Sequence, residues 1–235
     1  MKINIPMEYL SSKTVHNGYV FKYDDQIFRD RFVVLNKLLT DKDRVIDLGC
    51  VGYIPNITSS INCGTYLHDI LTKKCNDVLG VDIDINGVEF VRKLGFTNVV
   101  CADIISDASN IKRHFMNSEV DFMILGEMLH EVDNPIQFLS DIHKEYEGCV
   151  RKIIITVPNI YRLTNIVNAV GGKDVNHTEN RYWFSPYTIC KSLAQAGIQP
   201  TELYLAGKTF GKRGLLLSLF KHNICAEHII AVGTL

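Results

Sequence analysis

The chain has 235 residues, 46% of them hydrophobic and 22% charged, with a formal net charge of -1. That suits one α/β domain with a full core. It gives no overall electrostatic case for binding nucleic acid or an anionic membrane, and no stretch reaches the ~18 apolar residues that a spanning helix needs.

Residues 1–43 read as a cap or lid segment. Tyr19, Phe21 and Tyr23 precede Phe28, Phe32, Leu35 and Leu38, which recur at helical spacing. Strands are predicted at 44–48, 77–83, 98–104, 120–126, 152–157, 201–206 and 227–234, each an apolar run. Between them, 63–75 reads as a helix with Leu67, Ile70 and Leu71 on one face, and 86–94 as another closed by Gly95. Asp133-Asn-Pro135 and Ser185-Pro186 start two more helices, with a capping residue followed by proline at the first helical position. Strands alternating with helices predict a doubly wound, mainly parallel, seven-stranded Rossmann-like sheet with helices on both faces, over residues 44–235.

Met1–Pro6 lacks the apolar core of a signal peptide. The seven cysteines (50, 63, 75, 101, 149, 190 and 225) are odd in number and form no C-x-x-C pair. They read as reduced thiols of a cytoplasmic protein, and no ligand spacing for a metal is found.

Arg44-Val-Ile-Asp-Leu-Gly-Cys50 is answered 35 residues after Asp47 by Val78-Leu-Gly-Val-Asp82. Both are apolar runs ending at a carboxylate, as buried parallel strands do at a ligand crevice. Gly49 lets the backbone approach a bound molecule, and a strand-end carboxylate at Asp82 can accept from both ribose hydroxyls. The loop Asp47-Leu-Gly-Cys-Val-Gly-Tyr53 has neither G-x-G-x-x-G nor G-x-x-x-x-G-K-[ST]. A carboxylate before the glycines repels a pyrophosphate and suits a ligand with a cationic end.

These blocks resemble the motifs of class I S-adenosylmethionine (SAM)-dependent methyltransferases, over residues 40–235 and in the family's order. Val45–Cys50 resembles the first motif and Val81-Asp82 the acidic motif after the second strand. Cys101-Ala-Asp-Ile104 resembles the third, Leu125-Gly-Glu-Met-Leu-His-Glu-Val-Asp-Asn-Pro135 the block after the fourth strand, and Thr156-Val-Pro-Asn159 the end of the fifth. The resemblance implies SAM as cofactor, held by Asp47, Gly49, Cys50, Asp82, Ile83, Asp103, Ile104 and Gly126. Val51 and Tyr53 stand where the family's loop carries further glycines. Thr65-Tyr-Leu-His-Asp-Ile70 resembles a subgroup with a Leu-His pair on the first helix, which acts on sugars, glycans or small metabolites.

The acceptor side falls on two segments. His130 follows the fourth strand, and His177 lies in Asp174–Pro186 with Arg181, Tyr182 and the single Trp183. Either histidine can take a proton from an acceptor hydroxyl at neutral pH. Glu127, Arg181 and Tyr182 are the expected substrate contacts. The expected activity is O-methylation of a small molecule, sugar or glycan precursor. The alternatives are an RNA or protein methyltransferase, or a non-catalytic binding protein. An Asn-Pro-Pro-aromatic motif for exocyclic amines is absent from the fourth block. Lys208, Lys212, Arg213 and Lys221 form a late basic group open to an anionic substrate.

Overall fold

The computed structural model describes every residue except 1, 4, 22–25, 117 and 208–222, so the late basic group lies outside the described residues. In chain order the elements are α1 (Met7–Leu10), β1 (Ile27–Phe28), α2 (Arg31–Leu38), β2 (Arg44–Leu48), α3 (Ile54–Asn62), α4 (Leu67–Lys74), β3 (Asp77–Asp82), α5 (Ile85–Lys93), β4 (Val99–Cys101) and α6 (Ala108–His114). Then come β5 (Val120–Gly126), α7 (Pro135–Tyr146), β6 (Val150–Pro158), α8 (Leu163–Val170), α9 (Pro186–Gln195), β7 (Gln199–Ala206) and β8 (His228–Thr234). The alternation is the expected Rossmann-like one. Among the described residues there are eight strands rather than seven, because Ile27–Phe28 adds a short parallel strand beside Leu205–Ala206.

The chain divides into two compact units, with α7 and β6 passing through both. The first comprises residues 36–126, 141–154 and 235. Its strands run in the order β6-β5-β2-β3-β4, and β2 pairs in parallel with both β3 and β5. The strands are apolar runs because both faces are covered: Val45, Ile46, Leu79, Val81, Met123, Ile124 and Leu125 are all buried. Each such side chain contributes about 1.5–3 kcal/mol by leaving water.

The helix expected at 63–75 is α4, and a further helix, α3, precedes it. Pro55 starts α3 in its first turn. Gly64, at φ +66°, then turns the chain before α4. Tyr66, Val88, Val91 and Val99 close a core cluster around Cys50 and Val51.

The second unit comprises residues 1–35, 127–140 and 155–234. Here the order is β1-β7-β8-β6, with β8 antiparallel to β7. The expected start of α9 is found: the Ser185 hydroxyl accepts from the Thr188 amide, and Pro186 follows it. Asn159, fully buried after β6, donates to the carbonyls of Ile224 and Ala226 at 2.7 and 2.8 Å. No helix among the described residues is long and apolar enough to cross a membrane.

Gly80 shows how tight the first unit is. A Cβ there would meet His68 Cε1 at 2.7 Å, Cys50 Sγ at 2.8 Å and Val99 Cγ1 at 2.8 Å. Gly80→Ala is expected to lower the unfolding free energy by about 1–3 kcal/mol, the usual cost of overpacking. Urea denaturation checks this, and an unchanged midpoint would show that the neighbours give way freely.

Candidate functional site

The residues expected to hold the cofactor all lie in the first unit, where β2, β3 and β5 end. Gly49 (φ +73°) and Gly52 (φ +62°) adopt left-handed conformations that let the chain turn off β2. The Gly49 amide donates to the Val81 carbonyl at 2.9 Å. Asp82 clamps this loop from the neighbouring strand: one carboxylate oxygen accepts from the Val51 amide and the other from the Asp84 amide, each at 3.0 Å. A carboxylate has about four acceptor positions. Two are taken, and two remain for the ribose contact that the sequence assigned to Asp82.

The missing loop glycines have a physical explanation. Val51 is buried and sits over Gly87 in the first turn of α5; a Cβ at Gly87 would lie 2.4 Å from Val51 Cγ1. The space that glycine would leave in the loop is thus supplied by glycine in the helix. Tyr53 is exposed, at the residue before α3.

Asp47 is fully buried. Its Oδ2 lies 3.0 Å from His68 Nδ1, and His68 Nε2 lies 3.3 Å from Asn98 Oδ1. Asn98 Nδ2 donates to the Val78 carbonyl at 2.7 Å, which fixes its oxygen toward the ring. The His68 ring is thus held between Asp47 and Asn98. Asp47 Oδ1 is buried with no partner among the described residues. A buried acceptor left unpaired costs about 1–3 kcal/mol, and a cationic ligand group is what would satisfy it. His68, expected as a packing residue near this end, is the side chain that aims Asp47.

The remaining members divide by role. Ile83 is 74% exposed at the end of β3, a free apolar surface beside the clamp. Asp103 Oδ1 accepts from the amides of Ile105 and Ser106, and those bonds hold its carboxyl below the usual range despite some burial. Ile104 is buried, and its carbonyl accepts from the Tyr146 hydroxyl at 2.8 Å. Gly126 is required by packing: a Cβ there would lie 2.2 Å from Leu67 Cδ2. Burial, then the charges of Asp47 and Asp82, push the Cys50 thiol far up, so it stays protonated and inert.

The residues expected on the acceptor side all lie in the second unit. Glu127 has φ +57°, a left-handed conformation costly for a side chain with a Cβ. Its amide bonds to the Thr156 carbonyl and hydroxyl, at 3.0 and 3.1 Å, and fixes the turn. Its carboxylate meets His228 Nδ1 at 3.2 Å and Arg31 Nη1 at 3.4 Å. Burial works against ionisation, but the His228 hydrogen bond and the Arg31 charge outweigh it and bring Glu127 to about 2. Arg31 and His228 were not singled out from the sequence. They come from distant ends of the chain, and only the fold assembles them.

His130 lies in a 3₁₀ turn, Leu129–Glu131, and is 5% exposed. Burial holds its ring below the ordinary histidine range, so it is neutral at pH 7 with a free lone pair. Its carbonyl accepts from the amides of Arg181 and Tyr182 at 2.9 and 3.1 Å. The Arg181 side chain donates to the carbonyls of Glu131 and Glu179 and pairs with Asp133 at 2.6 Å. The Tyr182 hydroxyl donates to the Asp133 carbonyl at 2.8 Å. The two expected substrate contacts thus pin the 177–182 segment to the 130–133 turn, which brings His177 toward His130. Phe184 is buried as expected, while Trp183 lies under the Arg162 guanidinium, 4.7 Å from the ring centroid.

Residues 61–145 match the family described as a methyltransferase domain. No curated protein matches the sequence. Among solved structures, the small RNA methyltransferase HEN1 has a similar fold: TM-score 0.59, 12% identity, over 94% of this chain and 27% of that one. The chain thus spans only about a quarter of that protein. A SAM-dependent methyltransferase from Clostridium acetobutylicum ATCC 824 has a TM-score of 0.51 at 15% identity, over 87% of this chain and 89% of that one. A cyclopropane-fatty-acyl-phospholipid synthase-like protein from Lactobacillus casei ATCC 334 also has a TM-score of 0.51, at 11% identity, over 87% and 89%. The matched residues, about a third of the chain, are those of a methyltransferase domain, and the fold is similar to that of SAM-dependent methyltransferases.

Glu127 supplies a pH test. Its folded value, about 2, lies below the ordinary 4.5. The stability it contributes is complete above the unfolded value and is lost as pH falls through the folded one, that is, from about pH 5 down to about 2. Glu127→Gln is expected to flatten the acid limb of the melting temperature in that window. Superimposable acid limbs for the two proteins would show that Glu127 is not the group concerned.

Proposed function

We propose that the protein transfers a methyl group from SAM to a hydroxyl of a small molecule, sugar or glycan precursor. The observation that carries the cofactor half is Asp47 Oδ1, a buried, unpaired acceptor at the end of β2 beside the Gly49 turn. It fits the amino group of the methionine end. Asp82, with two acceptor positions left, fits the ribose, and exposed Ile83 with Asp103 fits the adenine. The cofactor brings an already activated methyl group. The protein must align an acceptor with it and, for a hydroxyl, accommodate the proton.

For the acceptor half, His130 and His177 are the groups whose ring nitrogens can deal with a hydroxyl proton, and Glu127, Arg181 and Tyr182 shape the surroundings. The fourth-strand block, Gly126-Glu127-Met128-Leu129, lacks the motif used on exocyclic amines, which supports oxygen as the acceptor atom. A net charge of -1 supports a small acceptor over RNA. The seven free thiols support a reducing compartment such as the cytoplasm.

Two measurements test this reading. Calorimetry with SAM or S-adenosylhomocysteine should show one site per chain, and Asp82→Ala should weaken binding by about 1.5–3 kcal/mol. Wild-type protein that binds neither compound would overturn the cofactor assignment. With an acceptor in hand, His130→Ala and His177→Ala should each lower turnover by roughly 10²–10⁴-fold with cofactor affinity nearly unchanged. Turnover that rises only when RNA is supplied would replace the small acceptor with a nucleic acid.

A further inference from the structure

Three donor side chains converge within the second unit, outside the set assigned to the cofactor, and His130 adjoins one of them. One ligand atom from each of Glu131, His177 and Glu179 lies within 4.8 Å of the other two. His177 Nδ1 is 3.7 Å from Glu179 Oε2, and His130 Nε2 is 3.7 Å from Glu131 Oε1. Both separations are too long for a hydrogen bond and match donor atoms around a shared ion.

His130 is an independent sign. Its ring is buried and turned toward Glu131, yet Nδ1 is closed off from solvent without a partner, and neither nitrogen is hydrogen-bonded among the described residues. Buried polar rings are normally satisfied. The charges point the same way. Glu131 and Glu179 stand close, and the nearby Arg181 guanidinium offsets Glu131 only in part. It is spent on the Glu131 and Glu179 carbonyls and on Asp133. Those bonds, with the two amides on the His130 carbonyl, hold the donor-bearing segments in place before any ligand arrives.

We propose that Glu131, His177 and Glu179 form a binding site for a divalent transition-metal cation, with His130 packed beside Glu131. Two carboxylates would supply the counter-charge, and the imidazole favours a borderline ion such as Mn²⁺ or Zn²⁺ over Ca²⁺. Glu131 lies far along the chain from His177 and Glu179, so no standard ligand spacing announces them. The site itself does not depend on the activity proposed above. Its use does rest on that reading: a cation there, held by His177 and with His130 nearby, would polarise an acceptor hydroxyl.

The test uses the full chain stripped with chelator, then titrated with Mn²⁺ by electron paramagnetic resonance and with Zn²⁺ by calorimetry. One saturable site per chain is expected. Glu131→Gln, His177→Ala and Glu179→Gln should each weaken it at least tenfold, while Glu89→Gln, on α5, leaves it unchanged. His177 and Glu179 are more than half exposed, so their variants should fold, and urea midpoints verify this. No saturable binding of either ion, or binding equally tight in all three variants, overturns the site. S-adenosylhomocysteine titrated into the same samples separates the two readings. If it binds where metal does not, the cation site fails and the proposed activity stands; metal binding without it supports the site and overturns the cofactor reading.

Discussion

The Asp82 carboxylate, accepting the Val51 and Asp84 amides at once, is the interaction on which the cofactor half of the protein depends. The turn after β2 has no regular strand or helix to satisfy its backbone. Asp82 supplies that satisfaction from the adjacent strand and closes a two-sided clamp. With the loop fixed, Gly49 and Gly52 can hold left-handed conformations, Val51 can bury against Gly87, and α3 starts where Pro55 allows. The clamp also explains how the loop accommodates valine at position 51. The backbone path is kept by hydrogen bonds to one carboxylate, and the volume is recovered at position 87.

Asp47 is held differently. It is buried to a degree that an isolated carboxylate would not tolerate, and His68, with Nδ1 3.0 Å away, is the partner that makes the burial possible. Asn98, anchored to the Val78 carbonyl, orients the ring in turn. Three strands and α4 thus converge on one oxygen, Oδ1, left without a partner. In the second unit, Glu127 accepts a left-handed backbone costing about 1–3 kcal/mol, against which Thr156, Arg31 and His228 each supply a contact. Asp47 and Glu127 are each held by specific partners, and Asp47 Oδ1 and His130 Nδ1 are each buried without one among the described residues.

Much of this is legible in the sequence, for identifiable reasons. Strands β2, β3, β5 and β6 are continuous apolar runs, which only burial on both faces explains, and Ser185-Pro186 marks α9 through capping chemistry. The helix at 67–74 is marked by Leu67, Ile70 and Leu71, whereas the one at 54–62, with Ile54, Ile57 and Ile61 at helical spacing, follows so closely on the glycine loop that it reads as part of it. The two-residue strand Ile27–Phe28 is too short to show any period. Asp47 and Asp82 stand out as carboxylates closing apolar runs. Their partners do not: His68, Asn98 and Gly87 matter through contacts across 20 to 36 residues of chain, Thr156 reaches Glu127 across 29, and Arg31 and His228 across 96 and 101. Arg181 and Tyr182 read as exposed polar groups in a loop. Only coordinates show that their bonds run to the main chain and bring His177 toward His130.

Amide hydrogen exchange on the intact protein, with and without S-adenosylhomocysteine, tests the central claim most directly: that the Asp82-clamped loop is a preformed cofactor site. Without ligand, the Val51 and Asp84 amides, already bonded to Asp82, should exchange more slowly than the amides of exposed loops. Addition of ligand should slow exchange further across 47–53, 82–85 and 103–106 and leave α9 unchanged. Fast exchange at Val51 in the free protein, or no change in these three segments at saturating ligand, would contradict the account.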